Sequence, residues 1–309
     1  MTAYRIGIDM GGTAIKLALL DERLRILWET TVDNRPRGTP RVLVERIAGA
    51  LRGRLTGVRS VGLGVAGDID AERGIVRFSP NLGLHDAPLG PLLKKALKKP
   101  VSVHNDAKAA AWGIFKTQVP ARVRHVVVLT LGTGVGGGII LNGKLHLGAT
   151  GSAGEVGHMV IVPGGRPCHC GSRGCLEAYV GGVYLVREAR SILASGRGKI
   201  IRRLAGGNPL NITPRLLNQA ARRGDPAARR LWREAGAKLG LGISNLVNVL
   251  NPERVVLTGG LAAAHPLFLP AALKTARKAA FKAPFRAVTI TIAQRARNIG
   301  VVGAALLAD

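Results

Sequence analysis

Residues 5–20 read RIGIDMGGTAIKLALL, two apolar runs separated by Gly11-Gly12-Thr13. Arg5–Asp9 predicts one strand and Ile15–Leu20 a second, so the glycines fall in a hairpin turn. Such a turn aims backbone N–H groups and the Thr13 hydroxyl at an anion, and glycine lets the backbone approach a phosphate closely. Asp9 at the strand end can hold Mg2+ through water, and Lys16 follows in the returning strand. An ordinary hairpin would carry the same residues. The pattern recurs, however, at Val126–Leu131, Gly132-Thr133-Gly134 and Gly136–Leu141, with Asn142-Gly143 as a two-residue hairpin signal. The second turn is no Walker A loop, because no Gly-Lys-Ser/Thr follows, and a strand rather than a helix succeeds it, which argues against a dinucleotide fingerprint. Two phosphate turns, one in each half of the chain, predict a nucleotide clamped between two domains.

The remainder alternates strands with helical patterns. Arg41–Arg54, Leu89–Leu97 and Ala107–Phe115 carry helical spacing, and Val61–Val65 and Val101–Asn105 read as strands. After a break near Val119-Pro120, helices are predicted at Val183–Leu193, Arg215–Arg222, Ala227–Leu250, Pro270–Ala280 and Ile299–Leu307. Strands are predicted at Val255–Thr258 and Val288–Ala293. The expected organisation is α/β in two domains. One covers 1–117 and is completed by a C-terminal helix at 298–309; the other covers 118–297 and carries the cysteines.

The 309 residues suffice for a large core. The most apolar windows are short and broken by Gly or Asn, which predicts no membrane span, and the N-terminus shows no signal-peptide pattern, which predicts a cytoplasmic protein. Lys+Arg 45 against Asp+Glu 18 gives a net charge of +27. The bases are spread along the chain without aromatic interleaving, so the expectation is a basic surface that attracts anions such as ATP, with no specific nucleic-acid partner.

Three further segments carry chemistry. His104-Asn105-Asp106 joins a strand to a helix, where Asp106 can accept a proton as a general base, and where either Asn105 or Asp106 can equally cap the helix. The three cysteines, Cys168, Cys170 and Cys175, lie within eight residues. With one imidazole they satisfy a closed, tetrahedral, structural zinc site, whose fourth ligand is His158 or His169. His169 sits between two ligand cysteines, where its side chain is expected to point away. Gly259-Gly260 ends a strand, where adenine can lie close to the backbone, although an ordinary strand-to-helix turn would read the same way.

Taken together, the chain resembles the ROK family of repressors, open reading frames and kinases over essentially its whole length. The resemblance rests on Asp9–Lys16, Pro80-Asn81-Leu82, Asn105-Asp106, Gly132–Gly138, Gly154-Glu155-Val156-Gly157-His158, Cys168-His169-Cys170-Gly171 through Gly174-Cys175-Leu176-Glu177, and Gly259-Gly260. It implies an actin-like ATPase (ribonuclease H-like) fold of duplicated domains with a central cleft. It implies ATP phosphates at Gly11, Gly12 and Thr13 and at Gly132, Thr133 and Gly134, with adenosine near Gly259 and Gly260. Asp106 becomes the base for a sugar hydroxyl, usually that on carbon 6. Asn81, Asn105, Asp106, Glu155, His158 and Glu177 hydrogen-bond the sugar, and zinc sits on His158, Cys168, Cys170 and Cys175. Bacterial ATP-dependent glucokinases of the family are the most similar, as homodimers or homotetramers. Leu84 stands where many have Trp, and Tyr179-Val180-Gly181-Gly182 departs from the usual sequence after Glu177. The alternatives are a kinase for N-acetylglucosamine or N-acetylmannosamine and, from another class, a sugar-responsive regulator. Family repressors carry a helix-turn-helix before the first turn, for which eight residues leave no room.

Overall fold

The computed structural model describes residues 4–35, 39–294 and 298–308. The chain forms two compact units, Met1–Arg122 with Gly138–Gly154 and Gln294–Asp309, and Val123–Gly137 with Glu155–Ala293.

The first unit opens with β1 (Tyr4–Met10), β2 (Ala14–Leu20), β3 (Ile26–Asp33), α1 (Pro40–Ala50) and β4 (Val58–Val65). It continues with β5 (Asp68–Asp70), β6 (Ile75–Ser79), β7 (Leu84–Ala87), α2 (Leu89–Leu97), β8 (Val101–Asn105) and α3 (Asp106–Gln118). Its main sheet has the order β3-β2-β1-β4-β8. The first three strands are antiparallel neighbours, and β4 and β8 run parallel to β1. Alternation in β1 sends Ile6, Ile8 and Met10 into a core shared with Leu43 and Ile47 of α1 and Leu89 and Leu93 of α2. On the other face, Gly7 and Gly62 leave the room that a helix backbone needs. A Cβ at either would strike the carbonyl of Val301 or Ala304 in the C-terminal helix. The short sheet β5-β6-β7 is absent from the sequence reading, because three to five residues between turns are too few to show a period.

After α3 come β9 (Val126–Leu131), β10 (Val135–Leu141), β11 (Lys144–Leu145), α4 (Glu177–Val180), α5 (Gly182–Ala194), α6 (Lys199–Leu204) and α7 (Pro214–Arg222). Then follow α8 (Pro226–Leu250), β12 (Arg254–Thr258), α9 (His265–Ala279), α10 (Lys282–Ala287), β13 (Thr289–Ile292) and α11 (Ile299–Leu306). The sheet order is β11-β10-β9-β12-β13, with β12 parallel to β9 and β13. Helix α9 starts at His265, upstream of the expected Pro270, because Pro266 already occupies the first-turn position that tolerates a missing N–H. The buried Asp225 carboxylate caps α8 through Ala227 and Ala228 and also accepts the Ile200 and Ile201 N–H groups of α6. Among the described residues no helix is long and apolar enough to cross a membrane.

Candidate active site and metal cluster

In the first unit the β1–β2 hairpin pairs Asp9 with Lys16 and Met10 with Ile15, which isolates Gly11–Thr13 as the turn. The Gly11 N–H donates to the Ala14 carbonyl at 3.0 Å. The turn is also held from the end of β3, by a residue the sequence did not single out. Asn34 donates its N–H to the Thr13 carbonyl at 3.0 Å and its Nδ2 to the Gly11 carbonyl at 2.8 Å. A lone Asn after a strand carries no motif, so no signal could have found it. The Cβ of an alanine at position 12 would lie 3.5 Å from the Asn81 carbonyl, so the Pro80-Asn81 segment borders this turn. Burial raises the Asp9 carboxyl above its ordinary value, with Lys16 opposing. Its carboxylate lies so close to α11 that a Cβ at Gly300 would approach within 3.0 Å.

Of the two capping candidates at the β8–α3 junction, Asn105 is the cap and Asp106 lies inside the first turn. The Asn105 Oδ1 accepts the Lys108 N–H at 3.1 Å and its Nδ2 donates to the Gly67 carbonyl at 3.0 Å, which leaves one amide hydrogen for any other partner. Asp106 begins α3 half-buried, its Oδ1 accepting the Ala107 N–H at 2.8 Å. The partial positive charge of a helix N-terminus favours a carboxylate there. A separate network holds residues 150–152: Arg77 pairs with Asp68 and Asp70 and donates to the Thr150 carbonyl, and the Ser152 hydroxyl donates to Asp68. Hydrogen bonds from Arg77 hold the Asp68 carboxyl below its ordinary value, against a smaller opposing effect of burial.

In the second unit the Gly132 N–H closes the second turn on the Gly134 carbonyl at 3.0 Å. Three groups brace it. The Gly182 and Val183 N–H groups at the start of α5 donate to the Gly132 and Thr133 carbonyls, at 2.9 and 3.2 Å. The Glu177 Oε2 accepts the Val135 N–H at 2.9 Å and occupies the space that a Cβ on Gly134 would need. A pocket of about 1050 Å3 opens beside Gly132 and Thr133. It is walled by Val183, Val186 and Arg187 of α5, the first turn of α7, and Gly260-Leu261. Gly259 holds the adjoining bend at φ +91°, where a Cβ would strike the Leu131 carbonyl.

The four residues expected to hold a metal come together. The donor atoms of His158, Cys168, Cys170 and Cys175 all lie within 4.8 Å of one another. The His158 Nδ1 is 3.7 Å from the Cys168 Sγ, and the Cys170 and Cys175 Sγ atoms are 3.7 Å apart. Two sulfurs each about 2.3 Å from a tetrahedral zinc stand about 3.8 Å apart, so the arrangement fits that ion. His169 lies outside the cluster: its ring packs at 5.0 Å against Tyr184, whose hydroxyl accepts the His169 N–H. Burial and the neighbouring thiols push the Cys175 thiol up to about 12. Thiols crowded in this way are relieved when a divalent cation replaces their protons. The Cys168 Sγ also lies 3.7 Å from the Glu177 Oε1, so one carboxylate touches both the cysteine cluster and the second turn.

A family model described as "ROK family" matches residues 5–309, and the chain belongs to that family. Its fold is the two-domain actin-like ATPase fold. It is 38% identical to the glucokinase of Streptomyces coelicolor over 98% of this chain and 96% of that protein. The ROK family glucokinase of Streptomyces griseus, solved with glucose and AMPPNP, superposes with a TM-score of 0.85 at 36% identity, covering 99% of each chain. A xylose repressor of Caldicellulosiruptor bescii is 33% identical over 80% of this chain and 61% of its own length.

Proposed function

We propose that the protein is an ATP-dependent hexokinase-type phosphotransferase that converts glucose to glucose 6-phosphate. The observation that carries this reading is that a chain alike to glucokinases along nearly its full length holds two glycine turns and a carboxylate at the α3 N-terminus. Asp106 accepts the proton of the carbon 6 hydroxyl as its oxygen attacks the γ-phosphorus, the β–γ bridging bond breaks, and ADP leaves. The free N–H groups of the two turns stabilise charge on the transferring group. Asp9 would hold Mg2+ through water, which supplies further neutralisation when bound with the donor. The pocket beside Gly132 and Gly260 receives the nucleoside.

Asn81, Asn105, Asp106, Glu155, His158 and Glu177 read the sugar hydroxyls. His158 faces the cluster with Nδ1 and keeps Nε2 for the sugar. Zinc on His158, Cys168, Cys170 and Cys175 would be structural and would fix the loop carrying Glu155 and His158. The protein acts as a homodimer or homotetramer in the cytoplasm. Its charge of +27 predicts only weak, salt-sensitive association with nucleic acid. The test is kcat/KM for glucose, mannose, 2-deoxyglucose, N-acetylglucosamine and N-acetylmannosamine with ATP and Mg2+, read by coupled ADP detection. Glucose is expected to lead, and 2-deoxyglucose to lose about ten- to a hundredfold. An N-acetylated sugar ahead by more than tenfold would reassign the substrate.

A further inference from the structure

We propose that Asn34 is a positioning residue for phosphoryl transfer. It holds the Gly11–Thr13 turn in the conformation that offers its N–H groups to the donor, so it governs ATP and not the sugar. The inference rests on the reading of that turn as a donor site.

Because β3 pairs with β2 up to Asp33 opposite Ala14, the next residue passes directly alongside the turn. There Asn34, 1% exposed, binds two carbonyls at once, Thr13 through its N–H and Gly11 through Nδ2. A trans peptide is planar, with its C=O and N–H on opposite sides. Drawing the Gly11 carbonyl toward Asn34 therefore sends the N–H of Gly12 to the opposite face. Neither the Gly12 nor the Thr13 N–H has a hydrogen-bond acceptor among the described residues, and Thr13 is exposed. One side of the turn is thus tied down and the other presents donors, which is the arrangement a phosphate requires.

The same side chain is poorly suited to a purely stabilising role. Its Oδ1 is buried with no partner among the described residues. A buried orphan acceptor costs desolvation that an apolar side chain of similar size would avoid. What only the amide supplies is the bond to the Gly11 carbonyl.

The test is steady-state kinetics, with ATP and glucose each varied, on Asn34→Leu, Asn34→Asp and Thr13→Val, together with the melting temperature of each. Asn34→Leu removes the tie and the orphan oxygen together. It is expected to raise KM for ATP about tenfold, with KM for glucose within about twofold and a melting temperature close to the parent's. Asn34→Asp keeps the size, loses the donor and sets a carboxylate against a carbonyl, so its KM for ATP rises at least as far. Thr13→Val reports on the turn itself. A raised KM for ATP in Thr13→Val beside an unchanged one in folded Asn34 variants overturns the role of Asn34 alone. No change in any of the three removes the donor-site reading, and the inference with it. A parallel rise in both KM values with a lowered melting temperature shows a merely structural residue and also overturns the proposal.

Discussion

The two glycine turns look alike in sequence and are held in different ways. Gly11–Thr13 follows a strand that carries its own carboxylate, Asp9, two residues before the first glycine, and the turn is tied by the neutral amide of Asn34. Gly132–Gly134 has Thr130 at the corresponding position and takes its carboxylate from Glu177, 42 residues beyond Val135, beside the cysteine cluster. The first turn is therefore a local construction of adjacent strands. The second is wired to the cysteine loop. Equal-looking motifs can thus depend on different parts of a protein, and the two should fail under different insults.

Asp106→Asn sets the outer bound, because it spares both turns. It is expected to lower kcat by about 10²–10⁴ with both KM values near the parent's. A variant keeping more than half of parental kcat would show that another group is the base.

The sharpest contrast between the turns is Gly134→Ala against Gly12→Ala. At position 134 a Cβ collides with the Glu177 carboxylate, whereas at position 12 the nearest atom is 3.5 Å away, an ordinary contact. Gly134→Ala should lose about 10²–10³ in kcat, comparable with removing one charge-stabilising donor. Gly12→Ala should keep its fold, with an unchanged melting temperature. Similar kinetic losses from both substitutions would dissolve the distinction.

Metal content tests the wiring directly. Elemental analysis should find one zinc per chain, and Cys170→Ala should lose it along with about 2–3 kcal/mol of stability and affinity for both substrates. Asn34→Leu should retain full zinc. If Cys170→Ala changed only the sugar KM, the contact of Glu177 with Cys168 would not transmit to the second turn.

The smallest effect concerns Asp9. Its carboxyl is raised by burial, so it contributes stability only while protonated, and that contribution is lost as pH rises through the raised value. Asp9→Asn should therefore melt higher than the parent at neutral pH while turning over more slowly. The gain should vanish at about pH 3, below the ordinary Asp value of about 3.9, where both side chains are neutral. Thermal melts across that range decide it; a gain that persisted at acid pH would have another cause.

Much of this was legible in the chain itself. Glycine runs between apolar segments mark turns wherever they occur, because backbone sterics are local, so both turns and the strands around them could be read directly. Cys168, Cys170 and Cys175 could be recognised as a metal set because their spacing lies within a single loop. The choice of His158 over His169 was also expected from the sequence, because His169 falls between two of the cysteines; how that choice is built was visible only in the tertiary structure. It depends on Tyr184 engaging His169 from α5 and on the 158 turn folding back onto the cysteines. The braces were equally hidden. Asn34 lies 23 residues from the Gly11 carbonyl it holds, and Glu177 lies 42 from the Val135 N–H, and neither separation leaves a trace in sequence spacing. The sequence by itself determined what is local: turn chemistry, strand alternation and ligand type. Which distant side chain supports which turn was decided only by packing, because such contacts depend on strand order and helix docking and not on the residues next in line.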